Sequence, residues 1–376
     1  MKHLLKAVAF VVFLRVVLGI LPSSSAATLA AEPSLEKSTL GAQGERSLFL
    51  GDHDEIVANA RKEGNLRVQS NLEPKAYSHL ISAFKERYPF IDVQIDEITG
   101  ADTAQRFLLE LKGGSVGDLD VTHLSTEHYE EYLPYMKRFA VKAMAEKGIL
   151  KIPVKMVDAD NPFVIATGSV ASAVAYNRKL MDPSIVPSTW EDFLKPEFKG
   201  RKFVMDIRPH GFAPLAAGLG EEWMIGYARK LKDQVPVWTR GHTRALTAIV
   251  SGEFAIHQMT NYHTCMRAAG KDRTGVLTCK VVEPVPVRIS LPESILKSAA
   301  HPYAALLWLE FEASPAAQKL IDKYEPLRSS LYSQDAEIEK ITRGKRVSLI
   351  DFKTFKHAGA WMNMAFEAFG FPKAGR

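Results

Sequence analysis

Arg208 carries the most directional chemistry in this sequence. It stands in the loop Ile207-Arg-Pro-His-Gly211, and the planar fork of a guanidinium grips a carboxylate or phosphate through two parallel hydrogen bonds. The ordinary reading is a surface ion pair, and Arg240 is a weaker candidate of the same kind. Backbone amides offer a second source of anion affinity, because the first N–H groups of a helix lack intrahelical partners and favour negative charge. Three loops run into helix starts of this kind: Ser70-Asn71-Leu72-Glu73, Thr99-Gly100-Ala101-Asp102 and Ser125-Thr126-Glu127. They make Ser70, Asn71, Thr99, Ser125 and Thr126 candidate contacts. Each alone is an ordinary solvated loop residue, and their shared position is what singles them out.

Patterns that would support catalysis fail on context. Gly113-Gly-Ser-Val-Gly117 has the G-x-S-x-G spacing, but a nucleophile elbow needs a strand before it and a helix after it. Here a helix runs in and a Gly-rich turn runs out. Ser294-Ile-Leu-Lys297 has the S-x-x-K spacing without a following Lys-Thr-Gly, and no H-E-x-x-H, P-loop or G-x-G-x-x-G occurs. The chain reads as a binding protein that is not an enzyme and requires no cofactor.

The elements that must position these loops follow from periodicity. Asn65 to Ser70 alternates as a strand, and Leu80, Ile81, Phe84 and Tyr88 then repeat at helical spacing up to Pro89. Ile91, Val93 and Ile95 alternate with Asp92, Gln94 and Asp96, Phe107, Leu108 and Leu111 share one helical face, and Gly113-Gly114 stops that helix. Asp120 to Leu124 supplies a third strand. The pattern is β-α-β-α-β, which implies parallel strands with right-handed crossovers and ligand loops beyond their carboxyl ends.

Further along, Phe163 to Ala175 reads as strands leaving this unit, and Ser188-Thr-Trp-Glu191 has capping-box spacing that predicts a short helix. A second α/β unit spans roughly 170–280, with a strand over Arg201–Asp206, helices over Glu221–Lys232 and Thr243–Val250, and a strand over Phe254–Met259. Val281 to Pro292 returns to the first unit. Two amphipathic helices follow it, over Pro302–Ala313 and Pro315–Tyr324, with Trp308, Leu309 and Phe311 as core. The last 45 or so residues wrap back as helices that bury Phe352, Phe355, Trp361 and Met362.

Several short motifs in order carry a resemblance. Glu63-Gly-Asn-Leu-Arg-Val, Ala83-Phe-Lys-Glu-Arg-Tyr-Pro89, Gly117-Asp-Leu-Asp-Val121, Val174-Ala-Tyr-Asn-Arg-Lys-Leu180, Thr189-Trp-Glu-Asp-Phe193, Ser251-Gly-Glu-Phe-Ala-Ile256 and Ala300-His-Pro-Tyr-Ala-Ala305 resemble the periplasmic solute-binding proteins of ABC importers. The branch that includes the ferric-ion binders is the most similar. The resemblance implies a two-lobed, type II-like α/β fold with a cleft between the lobes and hinge closure over one ligand. Lobe 1 would be residues 51–168 plus 281–376, and lobe 2 residues 169–280. It also implies a monomer that delivers cargo to an inner-membrane permease and its ATPase; the alternative is an exported sensor subunit for a membrane receptor. A cleft needs polar groups from both lobes, so lobe 2 would add Tyr176, Arg208, His210, Asn261, Tyr262 and His263.

Two ligand classes stay open. Iron-binding members carry adjacent tyrosines where this chain has Asn261-Tyr262-His263, so Tyr262 matches the first and His263 replaces the second. The histidine or tyrosine of their first loop is replaced here by Ser70-Asn71-Leu72. Fe(III) favours deprotonated oxygen ligands, so Tyr262, His263 and His210 would form a reduced site with a bound anion completing the shell, and iron would be cargo. The other class is a small anion held by Arg208 and helix-start amides.

Residues 1–27 have the make-up of a cleaved secretory signal: Lys2 and Lys6, the apolar run Ala7 to Leu21, and the small residues Ser24-Ser-Ala-Ala27. Removing them takes the formal charge from +5 to +2, so the basic balance argues for neither nucleic acid nor membrane binding. Residues 28–50 read as a loose leader. The expected compartment is the periplasm, where the two cysteines, Cys265 and Cys279, would bridge.

Overall fold

The computed structural model describes residues 39–40 and 46–371. The expected signal and most of the leader lie outside the described residues. Helix α1 (His53–Glu63) starts where the Asp52 carboxylate accepts from the Asp54 amide at 3.1 Å and stops at Gly64, whose φ of 70° favours glycine. Strand β1 (Asn65–Ser70), helix α2 (Pro74–Arg87), strand β2 (Asp92–Glu97), helix α3 (Ala101–Lys112) and strand β3 (Val121–His123) follow. β1 lies parallel to both β2 and β3, as the β-α-β-α-β reading requires. The alternating apolar residues explain the packing: Leu66 and Val68 are buried, and Phe84 of α2 meets Trp308 and Phe311 at ring distances of 5.2 and 5.4 Å.

Strand β4 (Ile165–Asn177) then leaves this wing, buried at every position. It is one unbroken strand because Gly168 lets another backbone pass: a Cβ there would lie 2.9 Å from the Arg328 carbonyl oxygen and 2.6 Å from Leu291 Cδ1. A second wing follows, with β5 (Val204–Asp206), α4 (Phe212–Leu219), α5 (Glu221–Asp233), β6 (Val237–Thr239), α6 (His242–Ser251), β7 (Ile256–Asn261), α7 (Tyr262–Lys271) and β8 (Leu277–Lys280). β5 is parallel to β6 and β7. The return is β9 (Val285–Ile295), then α8 (Pro302–Glu312), α9 (Pro315–Tyr324), β10 (Val347–Ile350) and α10 (Ala358–Ala368).

The result is a ten-stranded mixed sheet in the order β2-β1-β3-β9-β4-β7-β5-β6, with β8 beside β4 and β10 beside β9. Two parallel wings are thus joined by two long antiparallel strands, β4 and β9. Trp308, Leu309 and Phe311 are buried as expected. Two readings need correction, and one helix was missed. The Ser188–Glu191 stretch forms no capping box; the Asp192 carboxylate accepts from the Ser188 and Thr189 amides, both at 2.9 Å, and only a 3-10 turn, Glu191–Leu194, results. The chain end is not all helical, since β10 pairs in parallel with β9. Helix α4 was masked in the sequence by Pro214 and Gly218; its residues Phe212 to Ala216 are all buried, so it shows no amphipathic period. Among the described residues, no helix is long and apolar enough to cross a membrane.

Candidate functional site

At the carboxyl ends of β1, β2 and β3 the loops converge on a cavity of about 190 Å³, lined by Asn71, Ile98, Gly100, Ala104, His123, Ser125 and Thr126. Asn71 is held from both sides, donating to the Ile98 carbonyl at 2.7 Å and accepting from Arg328 Nη2 at 3.0 Å. Ser70 is buried beneath it, with Oγ accepting from the Leu72 amide at 3.2 Å. Thr99 points to solvent and donates to Glu97 Oε1 at 3.3 Å. It stands outside the lining, next to Gly100. His123 was missed because it ends a buried strand and carries no loop signature. Its Nδ1 makes no hydrogen bond, and burial, helped by the charge of Arg328, pushes its pKa down to about 3.

The second wing presents a different arrangement at the ends of β5 and β7. The Asp206 carboxylate accepts from Arg208 three times, from the backbone amide at 3.0 Å, Nε at 3.2 Å and Nη2 at 2.9 Å. Burial opposes the charge on Asp206, but the hydrogen bonds from Arg208 outweigh it and lower its pKa. The guanidinium fork expected to grip a solute is therefore engaged within the chain, two residues from its own position. Asn261, Ser172 and Gln258 stand around this pair, with space for about 10 Å³ between them. Gly211 closes the floor, since a Cβ there would strike Met259 Sδ and approach Ser172 Oγ to 2.9 Å. His242, another residue that sequence reasoning missed, opens α6 with Nδ1 3.5 Å from Asp206 Oδ2. Burial and the neighbouring His257 hold its pKa near 3, and neither ring nitrogen makes a hydrogen bond.

Three of the expected residues stand in other surroundings. Tyr176 is buried in the core that also holds Met181, Val186 and Trp190, a packing position on β4. Tyr262, first in α7 and partly buried, packs against the apolar cluster that holds Ala171, Val287, Leu327 and Ile338, and burial raises its pKa, which disfavours the phenolate. His263 is buried, its Nδ1 makes no hydrogen bond, and burial together with Arg328 and Arg288 drives its pKa well below the ordinary value. The described residues contain no group of three or more His, Cys, Asp or Glu side chains placed to hold a metal ion. Cys265 of α7 and Cys279 of β8 are joined by a disulfide.

A cavity of about 570 Å³ is lined from both wings. Thr126 enters it from the first wing, His210 from the second and Arg288 from the returning strand β9. Thr126 also lines the smaller first-wing cavity, so the two spaces adjoin. His210 is held neutral, its pKa pushed down to about 4 by burial and then by the charges of Arg288 and Arg208. Neutral imidazoles beside arginines donate to an acceptor without adding an opposing charge. On another face, Arg267 of α7 forms an ion pair with Glu73 and lies 3.8 Å from Glu325, and Glu325 also accepts from the Glu73 amide at 2.7 Å.

Comparison with known proteins agrees with this architecture. Residues 100–358 match the sequence profile described as bacterial extracellular solute-binding protein. No curated protein sequence matches the chain. Among solved structures, the chain is similar to the FutA protein of Trichodesmium in complex with iron and citrate ligands, at TM-score 0.63 and 16% identity over 81% of this chain and 99% of that one. It is also similar to the open ferric iron-binding protein A of Mannheimia haemolytica, at TM-score 0.64 and 16% identity over 81% and 98% of the two chains. The ferric binding protein of Campylobacter jejuni gives TM-score 0.62 and 20% identity over 82% and 100%. At these identities the likeness is one of fold.

Proposed function

The chain belongs to the bacterial extracellular solute-binding proteins, and from that premise we propose that it is the receptor subunit of an ABC importer that captures a small anion between two lobes. The lobes are residues 51–168 with 281–346 and residues 169–280, with the C-terminal segment from β10 to α10 packed on the second, and β4 and β9 are the crossings on which they close. The observation that carries this reading is the cavity of about 570 Å³ in which Thr126, His210 and Arg288 meet. A solute there touches both lobes, and contact with both is what makes closure favourable on binding. Arg288 supplies the charge, and His210 and the loop at Ser125–Thr126 supply neutral donors. The permease and its ATPase follow from the importer role, and the site of action is the periplasm.

A ferric reading draws support from the iron-binding proteins that share the fold. Because Tyr262 packs against an apolar cluster in this chain, iron would enter the same cationic cavity as an anionic chelate. Thermal melting separates the readings. Protein lacking residues 1–27 and stripped of metal is mixed with phosphate, a phosphonate, citrate, Fe(III) citrate or a polyamine. A ligand at a thousand times its Kd adds about 4 kcal/mol, so binding anions raise Tm by several degrees and polyamines do not. His210→Ala and Arg288→Met are expected to remove the shift. A shift with Fe(III) citrate and not with citrate, lost in Arg288→Met and kept in Tyr262→Phe, would establish the ferric reading instead; no shift with any compound would overturn both.

A further inference from the structure

The cavity between the wings is larger than an inorganic ion needs, and its extra wall comes from the end of the chain. Its volume of about 570 Å³ falls inside the span of about 300–1,000 Å³ typical of pockets for organic molecules. The lining divides by chemistry. Arg288, His210 and Lys356 are cationic or donating, whereas Ile350, Phe355 and Met362 are apolar. Ile350 is the register partner of Arg288 across the β9–β10 ladder, so the charge and the first apolar side chain are neighbours on one sheet. Of the acidic lining residues among the described ones, Glu131 is held by Lys112 at 2.6 Å and by His128 at 2.9 Å, and Glu130 is exposed to solvent, where water screens it.

The wall is fixed in place. Asp351 and Thr354 cap the turn at Phe352–Phe355 reciprocally, at 3.0 and 3.1 Å. Trp361 donates its indole N–H to Glu221 at 2.6 Å, and the Phe369 ring meets Phe212 edge-on at 5.1 Å. Helix α10 is thereby tied to α4 and α5, and Met362 is carried on it into the cavity lining. The match to the solute-binding family ends at residue 358, so nearly all of α10 lies beyond the shared segment. A methionine side chain is unbranched and polarizable and adapts to irregular carbon surfaces.

We propose that Phe355, Lys356 and Met362 form a second subsite that fits the cleft to an organic anion, an acidic headgroup at Arg288 carrying an apolar body along the C-terminal wall. The inference rests on the anion-receptor reading above and adds the body to the headgroup. Isothermal titration with phosphate and phenylphosphonate, and with acetate and benzoate, tests it. The aryl member of each pair binds about tenfold tighter or more. Met362→Ala removes most of that preference, read as a fall in the ratio of phenylphosphonate to phosphate affinity. Lys356→Ala, at an exposed position, weakens phosphate and phenylphosphonate alike, and Met362→Gln, which lowers the same ratio, carries the test if the first variant does not fold. An aryl preference that survives both Met362 variants, or equal binding of the paired ligands to the wild type, overturns the subsite while leaving the anion receptor standing. Failure of all four to bind the wild type overturns the subsite and the receptor reading together.

Discussion

The histidines of the second wing show how burial sets chemistry at single residues. His257 is fully buried on β7 with Nδ1 3.0 Å from the Val204 carbonyl, and burial pushes its pKa down to about 4. An unfolded histidine titrates near 6.5. Between that value and the native one, the unfolded chain holds a proton that the native chain refuses. The stability that His257 contributes is thus fully present above pH 6.5 and is lost as pH falls towards 4, with a limiting slope of about 1.4 kcal/mol per pH unit. His257→Asn keeps a donor for the Val204 carbonyl and does not titrate. Urea unfolding at pH 7 and pH 5 is expected to show a smaller acid loss in the variant, by up to one proton's slope; identical losses would refute the assignment. At this scale the sequence was legible in part. Asn71, Ser125 and Thr126 follow from strand ends and do line one cavity. The capture of the Arg208 fork by Asp206 was not legible, because it depends on a turn geometry that the residue types do not encode.

Among the elements, the pairing of α7 with β8 depends on more than periodicity. Leu277 and Cys279 lie on a four-residue strand antiparallel to β4, too short and too mixed in composition to stand out in the sequence. The disulfide from Cys265 holds it against the helix across a separation of 14 residues. Closing a loop of that length restricts the unfolded chain by about 3 kcal/mol. Replacing both cysteines by alanine is expected to lower stability by that amount, read from the midpoint of urea unfolding, and a reductant should bring the wild type down to the variant. A midpoint that ignores the reductant would show that the covalent link carries none of the stability. The long strands were easier to read than this one. β1 and β2 alternate cleanly, and the buried run of β4 stands out by its β-branched and small residues. Helix α4 and strand β10 were lost for opposite reasons: one is buried at every position from Phe212 to Ala216, and the other lies in a stretch dominated by helical signals.

For the molecule as a whole, the question is what holds the two proposed lobes together before a solute arrives. Arg267 belongs to the second lobe, and Glu73 and Glu325 to the first, so this cluster is a direct electrostatic tie between them. Glu325 is almost wholly buried, and burial raises its pKa while Arg328 and Arg267 act to lower it. Removing one partner of a buried pair leaves the other charge uncompensated, at a cost of about 3–5 kcal/mol. Opening the lobes would instead give Glu325 access to water. Arg267→Ala is therefore expected to shift the solute-free protein towards an open form, raising the radius of gyration measured by small-angle scattering. The apparent Kd for any captured anion should rise in the same variant, because affinity scales with the fraction of molecules already competent to bind. Charge reversal gives the matching control: Arg267→Glu opens the molecule further, and pairing it with Glu73→Arg restores part of the closed population. If scattering and affinity are both unchanged in Arg267→Ala, the tie plays no part in closure, and the contacts along β4 and β9 alone set the resting state.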